Sequence, residues 1–333
     1  MIKAAFINEN VDKDIISKVY SQESMNIIKG NTKLYEKIIK KDELFARSLS
    51  DVEVLFSTWG MPALTEEEIE SYLPRLEILF YAAGSVRSFA VPFLKKGVKI
   101  VSAWAANAVP VAEYTAAQII LANKGFFQNC IYSRSSYVEA RGYSQKFTGN
   151  YDANVGILGA GMIGTKVIGL LTPFKINIYV YDPFLTDARA KELGVKKCSM
   201  KDVFMNCSTI TNHMADLPET KNIINGELFD LMASNATFIN TGRGAQVVEA
   251  DLIKALKDEP ERTALLDVTE PEPPLPGSEL YSMKNVFLTS HIAGSMSRER
   301  ERMGEYIIDE FLRYLKGDVL RYSVTMDMLR TMA

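Results

Sequence analysis

The sequence predicts an α/β protein built on parallel sheets, with a doubly wound sheet in its second half. Three observations carry this. Apolar runs alternate with charged, helix-compatible stretches over the first hundred residues. A second alternating series begins at Asn154. A glycine-rich turn joins the first strand of that series to its first helix. A length of 333 residues suits two domains.

In chain order, the first strands are expected at Ala4–Ile7, Val52–Phe56, Ile78–Ala82 and Val98–Val101, with a helix-compatible stretch at Glu66–Tyr72. A helix follows over Val109–Lys124, with Pro110 acceptable in its first turn. Residues 125–152 are polar and aromatic without a clear period and read as irregular connection and short helix. The second series gives strands at Val155–Leu158, Asn177–Tyr181, Thr209–His213, Ala236–Asn240, Ala264–Val268 and Val286–Thr289. Helices are expected at Met162–Leu171, stopped near Pro173, and at Ala250–Lys257. The Pro-rich stretch after Thr269 is a stiff loop. Ser297–Leu315 reads as an amphipathic helix, and the run Arg298-Glu299-Arg300-Glu301-Arg302 as its solvated face, because its signs alternate.

Composition narrows the function classes. With 47% apolar and 24% charged residues the chain has enough apolar matter to fold, which excludes disorder as its main state. A net charge of −3 leaves no global field to hold nucleic acid or an acidic membrane. The three cysteines, Cys130, Cys198 and Cys207, have no zinc-ligand spacing, and no metal is expected. The opening MIKAAFINENVDKD has neither the long apolar core nor the small-residue cleavage site of a signal peptide, so no leader is expected, and no apolar run reaches membrane-spanning length. A soluble, cytoplasmic protein is expected.

Gly159-Ala160-Gly161-Met162-Ile163-Gly164 follows a strand and opens a helix, and Asp182 follows the next strand, about 20 residues on. Gly159 permits a tight turn, Gly161 lets the backbone approach a pyrophosphate, and Gly164 lets helix and strand pack closely. The helix N-terminus offers free N–H groups to phosphates. Asp182 can accept from both ribose hydroxyls. It would repel a 2′-phosphate, and no arginine follows it, which favours NAD over NADP.

Ligands of open sheets bind beyond the carboxyl ends of strands. Reading those ends gives Arg243, then Asp267 and Glu272, then His291. An arginine holds a substrate carboxylate in bidentate fashion. A histidine moves the alcohol proton near neutral pH, and a carboxylate orients it and stabilises its cation. These are the parts of a hydride-transfer site. Chain position leaves alternatives open. Glu270 competes with Glu272, and His213, the other of two histidines, also ends a strand. Asp267 is either a structural acid or a contact to the nicotinamide amide.

The constellation resembles the D-isomer-specific 2-hydroxyacid dehydrogenases, in particular glycerate dehydrogenase and hydroxypyruvate reductase-like members. The pieces are VGILGAGMIG, NTGRGAQVVEADLIKAL, LLDVTEPEPP and LTSHIAGS, with gaps from Arg243 to Glu272 and from Glu272 to His291 like those of the family. The resemblance selects Glu272 over Glu270. It implies two doubly wound parallel-sheet domains, with a Rossmann NAD-binding domain (102–295) inserted in a flavodoxin-like substrate domain (1–101 plus 296–333) and the active site between them. It implies substrate contacts at Ala83, Gly84 and Ser85, as well as Arg243. Cofactor contacts are implied at Met162, Ile163, Thr220, Thr241, Gly242, Asp267 and from His291 to Gly294. A homodimer joined through the cofactor domains is implied, with Val111-Ala112-Glu113 in the linking helix.

The sequence also departs from the family's pattern. Met162 stands where many members have arginine. His213-Met214-Ala215 replaces the usual HxP, which would loosen that loop. Ala83-Gly84-Ser85-Val86-Arg87 replaces GVGxD, and Gly149-Asn150-Tyr151-Asp152 replaces the common lead into the cofactor strand. Trp59, Ser85, Arg87 and Trp104 are the candidates for reading the substrate's side chain, Arg87 otherwise being an exposed surface residue and Trp104 core or interface. The expected activity is hydride transfer between NAD and C2 of a small 2-oxo or 2-hydroxy acid. The rival reading from another class is an NAD-sensing, corepressor-like protein with little turnover. A formate dehydrogenase-like enzyme is disfavoured by Glu272, where that branch carries glutamine. Phosphite oxidation uses the same three residue types.

Overall fold

The computed structural model describes residues 1–9, 12, 14–46 and 49–330. Asn10, Val11 and Lys13, part of the stretch read for a leader, lie outside the described residues. So do 47–48 and 331–333 of the segments assigned to a substrate domain. The chain divides into two compact units, Met1–Ala108 with Ser295–Ala333, and Val109–Gly294.

The described strands, in chain order, are β1 (Ile2–Phe6), β2 (Thr32–Leu34), β3 (Val54–Ser57), β4 (Ile78–Tyr81), β5 (Lys99–Ser102), β6 (Tyr151–Leu158), β7 (Lys175–Tyr181), β8 (Lys196–Lys197), β9 (Thr209–Asn212), β10 (Thr237–Asn240), β11 (Thr263–Leu266), β12 (Val286–Leu288) and β13 (Ser323–Val324).

In the first unit the sheet order is β13-β5-β4-β3-β1-β2, with β13 antiparallel and the other pairs parallel. Without β13 this is the flavodoxin-like order 2-1-3-4-5. Every residue of β3 and β4 is buried, because helices cover both faces of a parallel sheet. Leu55 and Leu79 face a core with Phe93, while Phe6, Phe56 and Phe80 face the opposite core. Those three rings step across neighbouring strands at centroid distances of 5.4 Å and 5.4 Å, and Phe311 of the terminal helix Glu299–Lys316 meets Phe56 edge-on at 5.2 Å. The charged run at the start of that helix is not a purely solvated face. The Arg300 guanidinium lies over the Trp59 ring, 5.8 Å from its centroid.

In the second unit the order is β12-β11-β10-β9-β6-β7-β8, all parallel. The strand order reverses between β6 and β9, the switch point of a Rossmann sheet. The helix Met162–Leu171 packs Val167, Ile168 and Leu171 on Val155 and Ile157 of β6. Glu249–Asp258 buries Leu252, Ala255 and Leu256 against Phe238 on the other face.

Local expectations are corrected in three places. β2, β8 and β13 are extra strands of two or three residues at sheet edges. Edge strands carry charge and little apolar matter, so hydropathy is silent there, as in Lys196–Lys197. The long helix spans Trp104–Asn123, with Pro110 inside it, because Ala105, Ala106 and Ala108 are strong helix formers that start it early. Residues 125–150 hold two helices, Phe126–Tyr132 and Tyr137–Tyr143, and a 3-10 turn. Their period is hidden because they pack as an aromatic cluster. Tyr132 and Tyr143 stand 4.4 Å apart, and Tyr143 and Phe147 5.6 Å.

Candidate active site

The glycine-rich turn has the form its residues require. Gly159 sits at φ +91°, a left-handed conformation that side chains rarely adopt. A Cβ on Gly164 would lie 2.0 Å from the Gly159 carbonyl oxygen, so only glycine lets the helix pack there. A Cβ on Gly161, by contrast, would meet nothing within 4 Å. The backbone there faces open space. Gly161 caps the helix without a side-chain acceptor, leaving first-turn N–H groups for an anion. Asp182 accepts hydrogen bonds from the Ala160 N–H at 2.7 Å and the Phe184 N–H at 2.7 Å, one on each carboxylate oxygen. It ties the turn to the end of β7 and keeps a lone pair on each oxygen for ribose hydroxyls. These residues fit a dinucleotide. Met162 is exposed beside them.

The other candidates converge on one rim. Asn240, Leu266 and Leu288 are in register across β10, β11 and β12. The loops that follow therefore leave the same edge of three adjacent strands, spaced about 5 Å apart. The first carries Arg243, the second Asp267 and Glu272, the third His291. A Cβ on Gly244 would lie 2.0 Å from the Thr269 carbonyl carbon, so the Arg243 loop is pressed against the loop that leads to Glu272. Glu272 Oε1 lies 2.7 Å from His291 Nδ1. A carboxylate only accepts, so Nδ1 carries the proton and Nε2 is the nitrogen left for chemistry. Both side chains are part-exposed, 47% for His291 and 42% for Glu272. His291 has φ +55°, rare for a residue with a Cβ and frequent at functional sites.

Geometry separates the rivals. Glu270 stands beside Glu249, whose carboxyl is pushed up by burial and by that like charge. His213 is 8% exposed, with Nε2 at 3.1 Å from the Thr211 hydroxyl and Nδ1 at 3.4 Å from that of Thr241. Burial pushes its pKa down to about 3, so it stays neutral and cannot serve as an acid near pH 7. Asp267 is buried and accepts from the Thr289 hydroxyl at 2.7 Å and from the Ile292 and Ala293 N–H groups at 2.7 Å and 3.0 Å. Those donors favour the structural side of its alternative.

The loop after β9 is not loosened by its sequence. Gln246 Nε2 donates to the carbonyls of Met214 and Ala215 at 3.0 Å and 2.8 Å. The Thr220 hydroxyl donates to Ala215 at 2.7 Å. Gln246 Oε1 accepts from Asn212 Nδ2 at 2.7 Å and from the Arg243 N–H at 3.3 Å, so one fully buried amide braces both loops. Sequence reasoning missed Gln246 and Gly244. The signal available was their place in Arg-Gly-Ala-Gln directly after Arg243. The Thr241 hydroxyl meets that of Thr115 at 3.1 Å, the Gly242 N–H donates to Asn240 Oδ1 at 3.1 Å, and Arg243 Nη1 donates to the Gly242 carbonyl at 2.8 Å.

In the other unit, Ala83, Gly84 and Ser85 follow β4, and the Ser102 hydroxyl donates to the carbonyls of Ala83 and Gly84 at 2.8 Å and 2.6 Å. Arg87 is not an exposed surface residue: it is half-buried and its Nη1 donates to the Leu329 carbonyl at 3.2 Å. Trp104 packs edge-on against Tyr322 at 6.0 Å, which favours core.

Residues 126–293 match the family model described as "D-isomer specific 2-hydroxyacid dehydrogenase, NAD binding domain". The chain belongs to the D-isomer specific 2-hydroxyacid dehydrogenase family. D-3-phosphoglycerate dehydrogenase of Archaeoglobus fulgidus is 30% identical over 70% of this chain and 44% of its own length. This chain spans about half the length of that protein and of the D-3-phosphoglycerate dehydrogenase of Methanocaldococcus jannaschii. Solved structures share the fold. A phosphoglycerate oxidoreductase from Rhizobium etli superposes with a TM-score of 0.80 at 19% identity, covering 99% of this chain and 100% of its own. The NAD-complexed D-isomer specific 2-hydroxyacid dehydrogenase from Lactobacillus delbrueckii ssp. bulgaricus gives 0.73 at 20% identity, covering 97% and 100%. The lead into β6, which departs from the family's sequence pattern, is held by a side chain of its own. Asn150 accepts from Asn123 Nδ2 at 3.0 Å and donates to the Ile120 carbonyl at 3.0 Å.

Proposed function

We propose that this chain is an NAD-dependent oxidoreductase acting between a small 2-oxo acid and the corresponding D-2-hydroxy acid. The observation that carries the reading is the 2.7 Å pair of Glu272 and His291 on the strand rim that also bears Arg243. The nicotinamide cofactor, held at the 159–164 turn and Asp182, would supply the hydride to C2 in its reduced form, NADH, and would take it back in its oxidised form, NAD+, in the reverse direction. Arg243 binds the substrate carboxylate in bidentate fashion and polarises the neighbouring carbonyl. His291 gives its Nε2 proton to the oxygen at C2 as charge develops there, while Glu272 holds the ring through Nδ1 and stabilises the cation. In oxidation, neutral Nε2 takes the alcohol proton. The N–H groups of Ala83, Gly84 and Ser85 are proposed as further contacts to the carboxylate, and Met162, Ile163, Thr220, Thr241, Gly242 and Gly294 as cofactor contacts.

We further propose a homodimer working in the cytoplasm. Phe126, Tyr137 and Val138 leave apolar surface exposed that a second copy would cover, and the three cysteines are free. Among the described residues no helix is long and apolar enough to cross a membrane.

The test is oxidation of NADH, with NADPH alongside, against glyoxylate, hydroxypyruvate, pyruvate, phenylpyruvate and 2-oxoisocaproate. One or more should turn over, and His291→Ala should lower kcat by about 10²- to 10⁴-fold. Wild-type kinetics in His291→Ala or Arg243→Ala would sink the assignment. Tight NADH binding without turnover would favour the partner-binding reading.

A further inference from the structure

The histidine of the proposed reaction stands on a loop whose left-handed backbone must be held from outside. Three successive N–H groups of that loop point at one residue. His291 donates to the Asp267 carbonyl at 3.0 Å, Ile292 to Asp267 Oδ1 at 2.7 Å, and Ala293 to Asp267 Oδ2 at 3.0 Å. Asp267 is in turn a buried carboxylate, 3% exposed, and a buried charge needs every donor it can get. The fourth donor is the Thr289 hydroxyl, 2.7 Å from Oδ1. Thr289 Oγ1 also lies 3.1 Å from the Tyr114 hydroxyl.

The directions of these bonds follow from valence. The carboxylate only accepts, so Thr289 spends its single proton on Asp267. Its oxygen is then an acceptor, and the Tyr114 phenol must be the donor. The chain runs one way, from Tyr114 to Thr289 to Asp267 to the backbone that carries His291. Burial and the nearby Asp267 charge push the Tyr114 phenol's pKa up, which keeps its proton in place for this role. All members belong to the unit Val109–Gly294.

We infer that Thr289 and Tyr114 are positioning residues for His291, acting through Asp267 to hold its imidazole on Glu272. The inference rests on the dehydrogenase reading only for its kinetic consequence. Neither hydroxyl is placed against substrate or cofactor. Removing the Thr289 hydroxyl leaves Asp267 one donor short and frees the loop to relax from its left-handed turn, swinging Nε2 away from its working position.

The experiment compares Thr289→Val, Thr289→Ser and Tyr114→Phe by two readouts. The first is the imidazole ¹⁵N–¹H spectrum of the protein. Only two histidines are present, and His213, bonded to Thr211 and Thr241, serves as the internal reference. The Nδ1–H signal of His291, shifted downfield by its bond to Glu272, should broaden or vanish in Thr289→Val and return in Thr289→Ser. The second readout is kinetic. Thr289→Val should lower kcat about 10-fold with little change in KM, Thr289→Ser should recover to within about 3-fold, and Tyr114→Phe should fall between. A wild-type His291 signal and wild-type kcat in folded Thr289→Val would overturn the inference. Should that variant not fold, the same result in Tyr114→Phe, which removes only the outer link, would overturn it equally. If the wild type turns over no 2-oxo acid, the dehydrogenase reading fails while the spectra still decide the positioning role.

Discussion

The neutral, buried His213 makes the stability of the second unit depend on pH in a way that one substitution isolates. The folded state holds this histidine's pKa at about 3, down from the ordinary 6.5. Between those values the unfolded chain binds a proton that the folded chain refuses. Stability therefore rises with pH across this window, is complete above about 6.5, and is lost as pH falls. Each pH unit is worth about 1.4 kcal/mol, so a drop to pH 4.5 should remove about 3 kcal/mol. Carboxylates also titrate in this range, so the wild type alone does not isolate the histidine. His213→Asn removes the titration. Comparing the pH dependence of the two proteins cancels whatever the substitution costs in packing. The assay is urea unfolding at pH 7.5 and 4.5 by far-ultraviolet circular dichroism, with tryptophan fluorescence beside it. Trp59 and Trp104 both lie in the first unit, so fluorescence reports the part that lacks His213. The wild type should lose on the order of 1 M more in urea midpoint than His213→Asn on acidification. Equal losses in the two proteins would refute the reasoning and mean that His213 takes up its proton in the folded state.

Two other outcomes are expected. Gly244→Ala should lower the melting temperature, by about 3 kcal/mol or more of stability, because its Cβ would sit on the Thr269 backbone; an unchanged thermal melt would contradict the packing described for that loop. Asp182→Ser should narrow the preference for NADH over NADPH by about 10-fold or more, read as the ratio of kcat/KM values, since the charge that opposes a 2′-phosphate is gone; an unchanged ratio would remove Asp182 from the ribose site.

The elements legible in the sequence are those whose causes are local. β3 and β4 announce themselves because a strand covered on both faces is a continuous apolar run. The turn at Gly159 is legible because a left-handed residue and a helix start leave few residue types to choose from. The short edge strands β2, β8 and β13 are illegible for the converse reason. Their pairing partner, not their composition, makes them strands. The helix that starts at Trp104 shows a propensity-rich run outvoting a proline.

At the site, chemistry was visible as residue types at strand ends, and the family resemblance chose Glu272. Residues alone left Glu270 and Glu272, and His213 and His291, as open pairs. The folded chain sets them apart physically: the Glu272 carboxylate lies 2.7 Å from His291, while His213 is walled off from water. Gln246 and Thr289 show the same limit. A buried amide that braces two loops, or a hydroxyl that completes a carboxylate's donors, looks like any other Gln or Thr until distant strand ends become neighbours. Periodicity and turn chemistry act over a few residues and are written in the chain. Which side chains meet depends on strands dozens of residues apart lying about 5 Å from one another, and the tertiary structure alone determines that.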